Sequence, residues 1–272
     1  MRIQILGTAA AEAWPAVFCG CDTCVRARAA GGPNFRSRAS LQIDDIYKID
    51  MGPDTYSQSV RFGVDLSALA YLFFTHSHAD HLDLVEFEWM RPPFAHNLKN
   101  APVRVYGNEA VTSAIRDHHG EGKLPIELNT IQPFIPIEAG NLTFTPITAH
   151  HNPDELCLNY IIQSDAATVL YSSDTGEYDQ PTIDFLQAQK HFDLLIIECT
   201  QGCLPMPAIG HMSFEAVLRL REKIVSAGAA DKDVRTVITH FSHNMGLLHD
   251  EFEAIANPHG VEVAYDGIVL EV

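Results

Sequence analysis

The densest concentration of chemistry in the sequence is Thr75-His76-Ser77-His78-Ala79-Asp80-His81, where His76, His78, Asp80 and His81 place four ligating side chains within six positions. The apolar run Tyr71 to Phe74 directly precedes it, so the cluster begins at the end of a buried strand. In extended chain His76 and His78 point to the same side, and a turn into the following segment can bring Asp80 and His81 alongside them. Such a set suits two neighbouring metal ions. Neutral imidazoles and a carboxylate serve zinc, manganese or iron, so ligand type alone leaves the metal open. A binuclear centre needs further donors, and later strand ends offer them: His150-His151 after Leu142 to Ile147, Asp174 after Val169 to Tyr171, and His240 after Val237 to Thr239. Side chains converging from strand ends are how an α/β scaffold builds a rigid site from distant sequence.

The cysteines form a second constellation. Cys19, Cys21 and Cys24 crowd into six residues, whereas Cys157, Cys199 and Cys203 lie far downstream, which is not the pattern of a secreted disulfide framework. No base accompanies the downstream three, so they read as buried small residues or free thiols. Other conspicuous groups take plainer readings. Asp50 orders the loop beneath the histidine cluster and supports a ligand. Glu198 is a strand-end residue in a supporting role, Phe87, Trp89 and Phe94 are core, and His118-His119 is exposed.

The elements that must position these residues follow from hydrophobic periodicity. Arg2 to Leu6, Leu41 to Ile43, Tyr47 to Ile49, Tyr71 to Phe74, Val103 to Tyr106, Leu142 to Ile147, Leu158 to Ile162, Thr168 to Tyr171, Asp193 to Ile197 and Arg235 to Thr239 read as strands. Asp22 is the expected cap of a helix ending at Gly31-Gly32, Leu84 to Met90 is helical, Ser213 caps Phe214 to Val225, and Glu251 to Ala256 forms a short helix. The stretches Pro92 to Pro102 and Gly120 to Pro136 are expected loop excursions.

With 272 residues, 46% hydrophobic and 19% charged, the chain can bury a sizeable core. No linker, charge block or fixed-period repeat divides it, so one domain over residues 1–272 is expected. A formal net charge of −17 opposes binding to a long nucleic acid, and no apolar run approaches the roughly 18 residues of a membrane span. The expectation is a cytoplasmic protein acting on a small molecule, with no membrane or long nucleic-acid partner and with a homodimer left open.

The ordered set His76, His78, Asp80, His81, His151 (with His150 as the alternative), Asp174 and His240 resembles the metallo-β-lactamase fold superfamily over nearly the whole chain. The resemblance implies an α/β fold, a four-layer αββα sandwich. It also implies one ion held by His76, His78 and His151, a second held by Asp80, His81 and His240, and Asp174 bridging the two. His151 is favoured because it immediately precedes the Asn152-Pro153 turn. Cys19-Gly20-Cys21-Asp22-Thr23-Cys24, taken with Thr239-His240-Phe241-Ser242-His243, is similar to the phosphoribosyl cyclic phosphodiesterases of the carbon-phosphorus lyase pathway. That likeness implies a separate structural zinc on Cys19, Cys21, Cys24 and His243. Gly210-His211-Met212-Ser213 resembles a phosphodiesterase segment in which the residue matching His211 donates a proton or stabilises the transition state.

These resemblances imply a binuclear metal-dependent hydrolase, a phosphodiesterase acting on a small, cyclic phosphodiester, with zinc and/or manganese at the active centre and one structural zinc. Two divalent ions can lower the pKa of a bridging water and stabilise charge developing on phosphorus. Asp80 would orient that water while ligating metal, and His211 would protonate the leaving alkoxide, help worth ~10²–10⁴ in rate. The same ligands would serve a lactone or thioester hydrolase. A pyrroloquinoline-quinone-biosynthesis-like accessory protein shares the cysteine triplet, and a binding-only protein is a third class. A transfer-RNA-processing nuclease fits the histidine pattern but not the acidic charge or the lack of a basic, Gly-rich arm.

Overall fold

A computed structural model describes residues 1–272. Strands β1 (Arg2–Gly7), β2 (Ser40–Ile43), β3 (Tyr47–Ile49), β4 (Tyr71–Phe73), β5 (Val103–Gly107) and β6 (Ile126–Thr130) build one sheet. The other contains β7 (Ile137–Ala139), β8 (Leu142–Thr148), β9 (Leu158–Gln163), β10 (Thr168–Ser172), β11 (Phe192–Glu198), β12 (Ala230–Thr239) and β13 (Val261–Val263). Strand β14 (Val269–Glu271) returns to pair antiparallel with β1 at the edge of the first sheet.

Alternation along β11 shows how the layers stack. Leu194 and Ile196 join Phe73, Phe144, Tyr160 and Val237 in the core between the sheets, where the Phe73 and Phe144 rings stack with centroids 4.0 Å apart. Leu195 and Ile197 face the opposite way, into a cluster with Val217, Leu220, Ile224 and Phe252. Those side chains come from the outer helices α5 (Phe214–Ser226) and α6 (His249–Ala256), and α1 (Asp22–Ala30) and α4 (Gln180–Gln187) add Cys24, Ala27, Ile183 and Leu186 to the same cluster; α2 (Thr55–Phe62) and α3 (Glu109–His119) are the remaining helices. Across the molecule, Leu72, Phe74, Val103 and Val105 pack beneath Val111 and Ile115 of α3. Helix, sheet, sheet and helix make the four-layer αββα sandwich. No helix is long and apolar enough to cross a membrane.

Strands β3 to β6 run parallel, as do β10 to β13, so both sheets send the carboxyl ends of several strands toward one rim. Loops at such ends are where open α/β sheets build ligand sites.

Local chemistry corrects several expectations. Helix α1 is capped by Cys21, whose backbone is extended and whose Sγ accepts from Cys24 N at 3.5 Å, so Asp22 stands inside the first turn rather than at the cap. Leu84–Met90 is a 3₁₀ helix capped by Asp83, and it buries only Phe87. Trp89 and Phe94 are exposed, because that single apolar contact leaves the rest of the segment outside the core. The Gly120 to Pro136 excursion contains β6, an edge strand whose Glu127 and Thr130 are exposed and whose apolar pattern is correspondingly weak. His119 is buried, with Nε2 donating to Leu84 O at 2.8 Å, while His118 is exposed.

Candidate metal centre

His76 lies three residues beyond β4, and the chain then folds back so that His81 N donates to His78 O at 3.0 Å. The turn packs tightly on the segment after β3: a Cβ on Gly52 would lie 2.1 Å from Asp80 O, so only glycine permits this approach. Three imidazoles meet here. His78 Nδ1 is 2.9 Å from His76 Nε2 and 3.1 Å from His151 Nε2. Nitrogens held this close, each with a lone pair to place, match the edge of a coordination polyhedron with metal–nitrogen bonds of about 2.0–2.1 Å. His150 points elsewhere, with Nε2 3.5 Å from Asp179, which places His151 rather than His150 in the group.

A second group adjoins the first. His81 Nε2 lies 3.1 Å from Asp80 Oδ2 and 2.5 Å from Asp174 Oδ2, and His240 Nε2 lies 3.1 Å from that same Asp174 oxygen. Asp174 Oδ2 is also 3.9 Å from His76 Nε2, so its carboxylate stands between the two groups.

For His76, His81, His151 and His240 the far nitrogen shows which face is free. Thr75 Oγ1 donates to Asp50 and therefore accepts from His76 Nδ1 at 3.0 Å. Asp50 Oδ2 accepts from His81 Nδ1 at 2.7 Å, and Gly210 O accepts from His151 Nδ1 at 3.0 Å. Thr200 Oγ1 donates to His240 O at 2.8 Å and accepts from His240 Nδ1 at 2.8 Å. With these protons committed outward, the Nε2 lone pairs of His76, His81, His151 and His240 face inward, the tautomer a metal ligand requires, whereas His78 presents Nδ1 to its group. Buried His81 Nε2, His240 Nε2 and Asp174 Oδ2 have no hydrogen-bond partner. Orphaned buried donors and acceptors are rare, and three of them meet at this one point. The residues fit a divalent ion in each group.

Charge agrees with geometry. Burial holds the His76 imidazole well below its ordinary pKa, with His81 adding to the effect, so it stays neutral. Burial opposes charge on His81 too, but the Asp50, Asp174 and Asp80 carboxylates outweigh it and hold His81 well above the ordinary value, so its Nε2 keeps a proton unless a cation takes that position. Burial opposes ionisation of Asp174, yet His240 and His81 hold it well below the usual carboxylate range. This pocket calls for positive charge at its centre.

His211 stands beside both groups, its ring centroid 4.9 Å from His151 and 5.8 Å from His240. Its Nδ1 donates to Glu198 Oε1 at 2.9 Å. Glu198 is fully buried at the end of β11 and also accepts from the Thr175, Thr200 and Met212 amides, which fixes it in the supporting role expected of it. Burial works against the imidazolium, but the Glu198 hydrogen bond and charge, with Asp174, raise the His211 pKa to about 9. Thr200 and Glu155 went unremarked as site residues in the sequence; only the Glu198-Cys199-Thr200 stretch hinted at the first.

The cysteine constellation also assembles. Cys21 Sγ and Cys19 Sγ lie 3.4 and 3.8 Å from His243 Nδ1, and Cys24 completes a set of four ligating atoms within 4.8 Å of one another. His243 Nε2 faces Glu12 at 3.7 Å. The Cys24 amide, the other thiols and His243 bring the Cys21 thiol down to about 6, whereas burial pushes Cys24 up to about 11. Soft thiolates with one imidazole form a closed, zinc-type donor set.

Comparison with known proteins agrees with this architecture. A solved structure described as a diphosphatase from the PhnP family superposes with a TM-score of 0.77 at 24% identity, covering 100% of this chain and 97% of the other. Zn(2+)-bound PqqB from Methylobacterium extorquens superposes with a TM-score of 0.76 at 16% identity and full coverage of both chains. Ribonuclease Z from Nostoc sp. is 29% identical over 114 residues, 40% of this chain, and the chain spans only 35% of that relative's length. The family model of the beta-lactamase superfamily domain matches residues 47–241, and the chain belongs to that family.

Proposed function

We propose that the protein is a binuclear metal-dependent hydrolase of a small, cyclic phosphodiester, a single catalytic domain with His76, His78 and His151 holding one ion, Asp80, His81 and His240 the other, and Asp174 shared. The observation that carries the reading is the His211–Glu198 pair beside the ligand groups. Zinc or manganese bound there would polarise the phosphoryl oxygens and acidify water. The protein's own residues do the rest. Asp80, whose carboxylate keeps some exposure, orients the attacking water. His211, kept protonated at neutral pH, delivers a proton from its Nε2 face to the departing alkoxide, and Glu198 then stabilises the ring's orientation for reprotonation. A dialkyl phosphate has a poor leaving group, so a poised acid is what this reaction needs.

Substrate size follows from the rim. The cleft beside His151, a cavity of ≈ 470 Å³, is lined by Asn152, Glu155, Glu177 and Ile209 among others, with no lysine or arginine. A long polyanion would find nothing there to neutralise its backbone, whereas a single phosphate meets the ions directly. The ribonuclease Z likeness favours transfer RNA as the second reading, and the acidic rim weighs against it.

The test is a panel of cyclic phosphates, linear diesters, a diphosphate, a lactone and a precursor transfer RNA, assayed with Zn²⁺, Mn²⁺ and chelator. Turnover of cyclic phosphates above the rest supports the reading. Exclusive turnover of the lactone or the RNA overturns it. His211→Ala should cost ~10²–10⁴ in rate on alkyl leaving groups and much less on nitrophenyl ones, which need no proton.

A further inference from the structure

Glu155 receives an unusual convergence of hydrogen bonds from the loops that frame the three-imidazole group. Its Oε1 accepts from Ser77 Oγ at 2.9 Å, Ser77 N at 3.2 Å and Asn152 Nδ2 at 3.3 Å. Its Oε2 accepts from Asn108 Nδ2 at 3.0 Å and shares the Ser77 amide at 3.2 Å. Ser77 stands between His76 and His78, and Asn152 directly follows His151. Asn108 caps α3 through Val111 N and donates a second time to Leu156 O at 2.8 Å, which anchors the carboxylate's own loop to the helix. One carboxylate thus ties together the two distant segments that supply His76, His78 and His151. The other group draws its support elsewhere, His81 from Asp50 and His240 from Thr200.

We infer that, granted the metal-centre reading above, Glu155 is a positioning residue that sets the spacing of the His76–His78–His151 site and hence its affinity, with little influence on the site of Asp80, His81 and His240. The three nitrogens converge only while the Ser77 loop and the Asn152 turn keep their separation. No backbone hydrogen bond joins Ser77 to Asn152; the Leu158 N to Thr75 O bond at 2.8 Å ties the strand ends behind them and Asn152 Nδ2 approaches His78 Nε2 at 3.3 Å, and the carboxylate adds the one acceptor that both loops share. Glu155 itself and its donor Asn152 line the cleft, where water can take the place of the carboxylate, so its loss should disturb the register of the site more than the fold. Partners that orient ligands in this way typically change metal affinity by about 10–100-fold.

The experiment titrates metal-free protein with Zn²⁺ against a competing chelator, with far-ultraviolet circular dichroism and thermal unfolding of the metal-free variants alongside. Wild type should take up two equivalents at the histidine–carboxylate centre, distinct from the thiolate-bound equivalent that Co²⁺ substitution marks by its sulfur charge-transfer band. Glu155→Ala should stay folded and weaken one of those two equivalents by about 10–100-fold while leaving the other unchanged. Glu155→Gln, which keeps one acceptor oxygen, should fall between. Wild-type affinity at both equivalents in Glu155→Ala overturns the inference while the metal centre stands, and so does equal weakening of both. Absence of both equivalents from wild type overturns the metal-centre reading and this one with it.

Discussion

Asp50 is the side chain whose replacement tests the centre most sharply, because it touches no proposed ion and yet fixes a proposed ligand. It is fully buried and accepts from Thr75 N at 2.9 Å, Thr75 Oγ1 at 2.9 Å and His81 Nδ1 at 2.7 Å. Alanine would leave the Thr75 amide and the Thr75 hydroxyl buried without an acceptor, and would leave the His81 N–H only the longer contact to Thr75 Oγ1 at 3.3 Å. Each orphan costs about 1–3 kcal/mol, so the pair removes about 2–6 kcal/mol from a stability of about 5–15 kcal/mol. Asparagine is the cleaner probe. It tolerates the positive φ of 60° at this position and still offers Thr75 an oxygen, so its loss is confined to one charged hydrogen bond of about 1.5–3 kcal/mol. Without the carboxylate, His81 no longer has its proton held on Nδ1, and Zn²⁺ affinity at the Asp80–His81–His240 group should fall by about 10–100-fold. Urea unfolding should rank wild type above Asp50→Asn and Asp50→Ala last. A fixed excess of Zn²⁺ should stabilise the asparagine variant less than wild type, since stabilisation follows RT ln(1 + [L]/Kd). An Asp50→Asn protein with wild-type urea midpoint and wild-type Zn²⁺ affinity would refute the reasoning.

Three further perturbations probe separate parts of the molecule. Asp174→Ala should lower occupancy of both ions and abolish hydrolysis; elemental analysis that finds the full complement of metal would rule out a shared carboxylate there. Cys21→Ser should lose one zinc equivalent and melt at a lower temperature, with activity falling only indirectly through His240, three residues before His243; a wild type whose cysteines react freely with thiol reagents would contradict this. Lys48 is completely buried, and burial brings its amine down to about 7 against the opposing pull of Asp50 and Glu86, while in the unfolded chain it titrates near 10.5. The unfolded state therefore binds more protons between those values and stability rises with pH, by up to about 1.4 kcal/mol per unit. Lys48→Met should remove that rise from urea midpoints measured between about pH 7 and 9, and an unchanged slope would assign it to another group.

What the sequence made legible was whatever one segment determines by itself. The continuous apolar run of β11, and of the second half of β12, is visible because both faces of the strand are buried there, and His76 to His81 stand out because four donors share one loop. Ser213 was readable as a cap for the same reason, its Oγ reaching only as far as Ala216 N. Contacts between segments were another matter. Helix α2 hides because it buries only Thr55 and Gln58, neither apolar, and His119 hides because its burial depends on Leu84 and Glu88 in a different element. Thr200 and Glu155 carry ordinary polar side chains whose importance exists only once β11 and β12, or the Ser77 and Asn152 loops, stand side by side.

The backbone at the strand ends connects this architecture to its chemistry. Asp50 follows β3, Asp174 follows β10 and His240 follows β12, and all three adopt positive φ, at 60°, 48° and 58°. A left-handed conformation is uncommon for these residues and costs of order 1–3 kcal/mol where it persists, so the surroundings must impose it. They do so with specific bonds, Thr200 Oγ1 gripping both the carbonyl and the ring of His240, and the Thr75 amide gripping Asp50. Each reversal turns a side chain out of the sheet direction and toward one point. The result is a set of buried acids, Asp50, Asp174 and Glu198, around His81 and His240, whose Nε2 atoms have no hydrogen-bond partner. Left alone, such an arrangement is electrostatically costly, and a bound cation relieves it. Under the proposed function the same cation would reverse the field locally in a molecule of net charge −17, which would let so acidic a protein receive a phosphate.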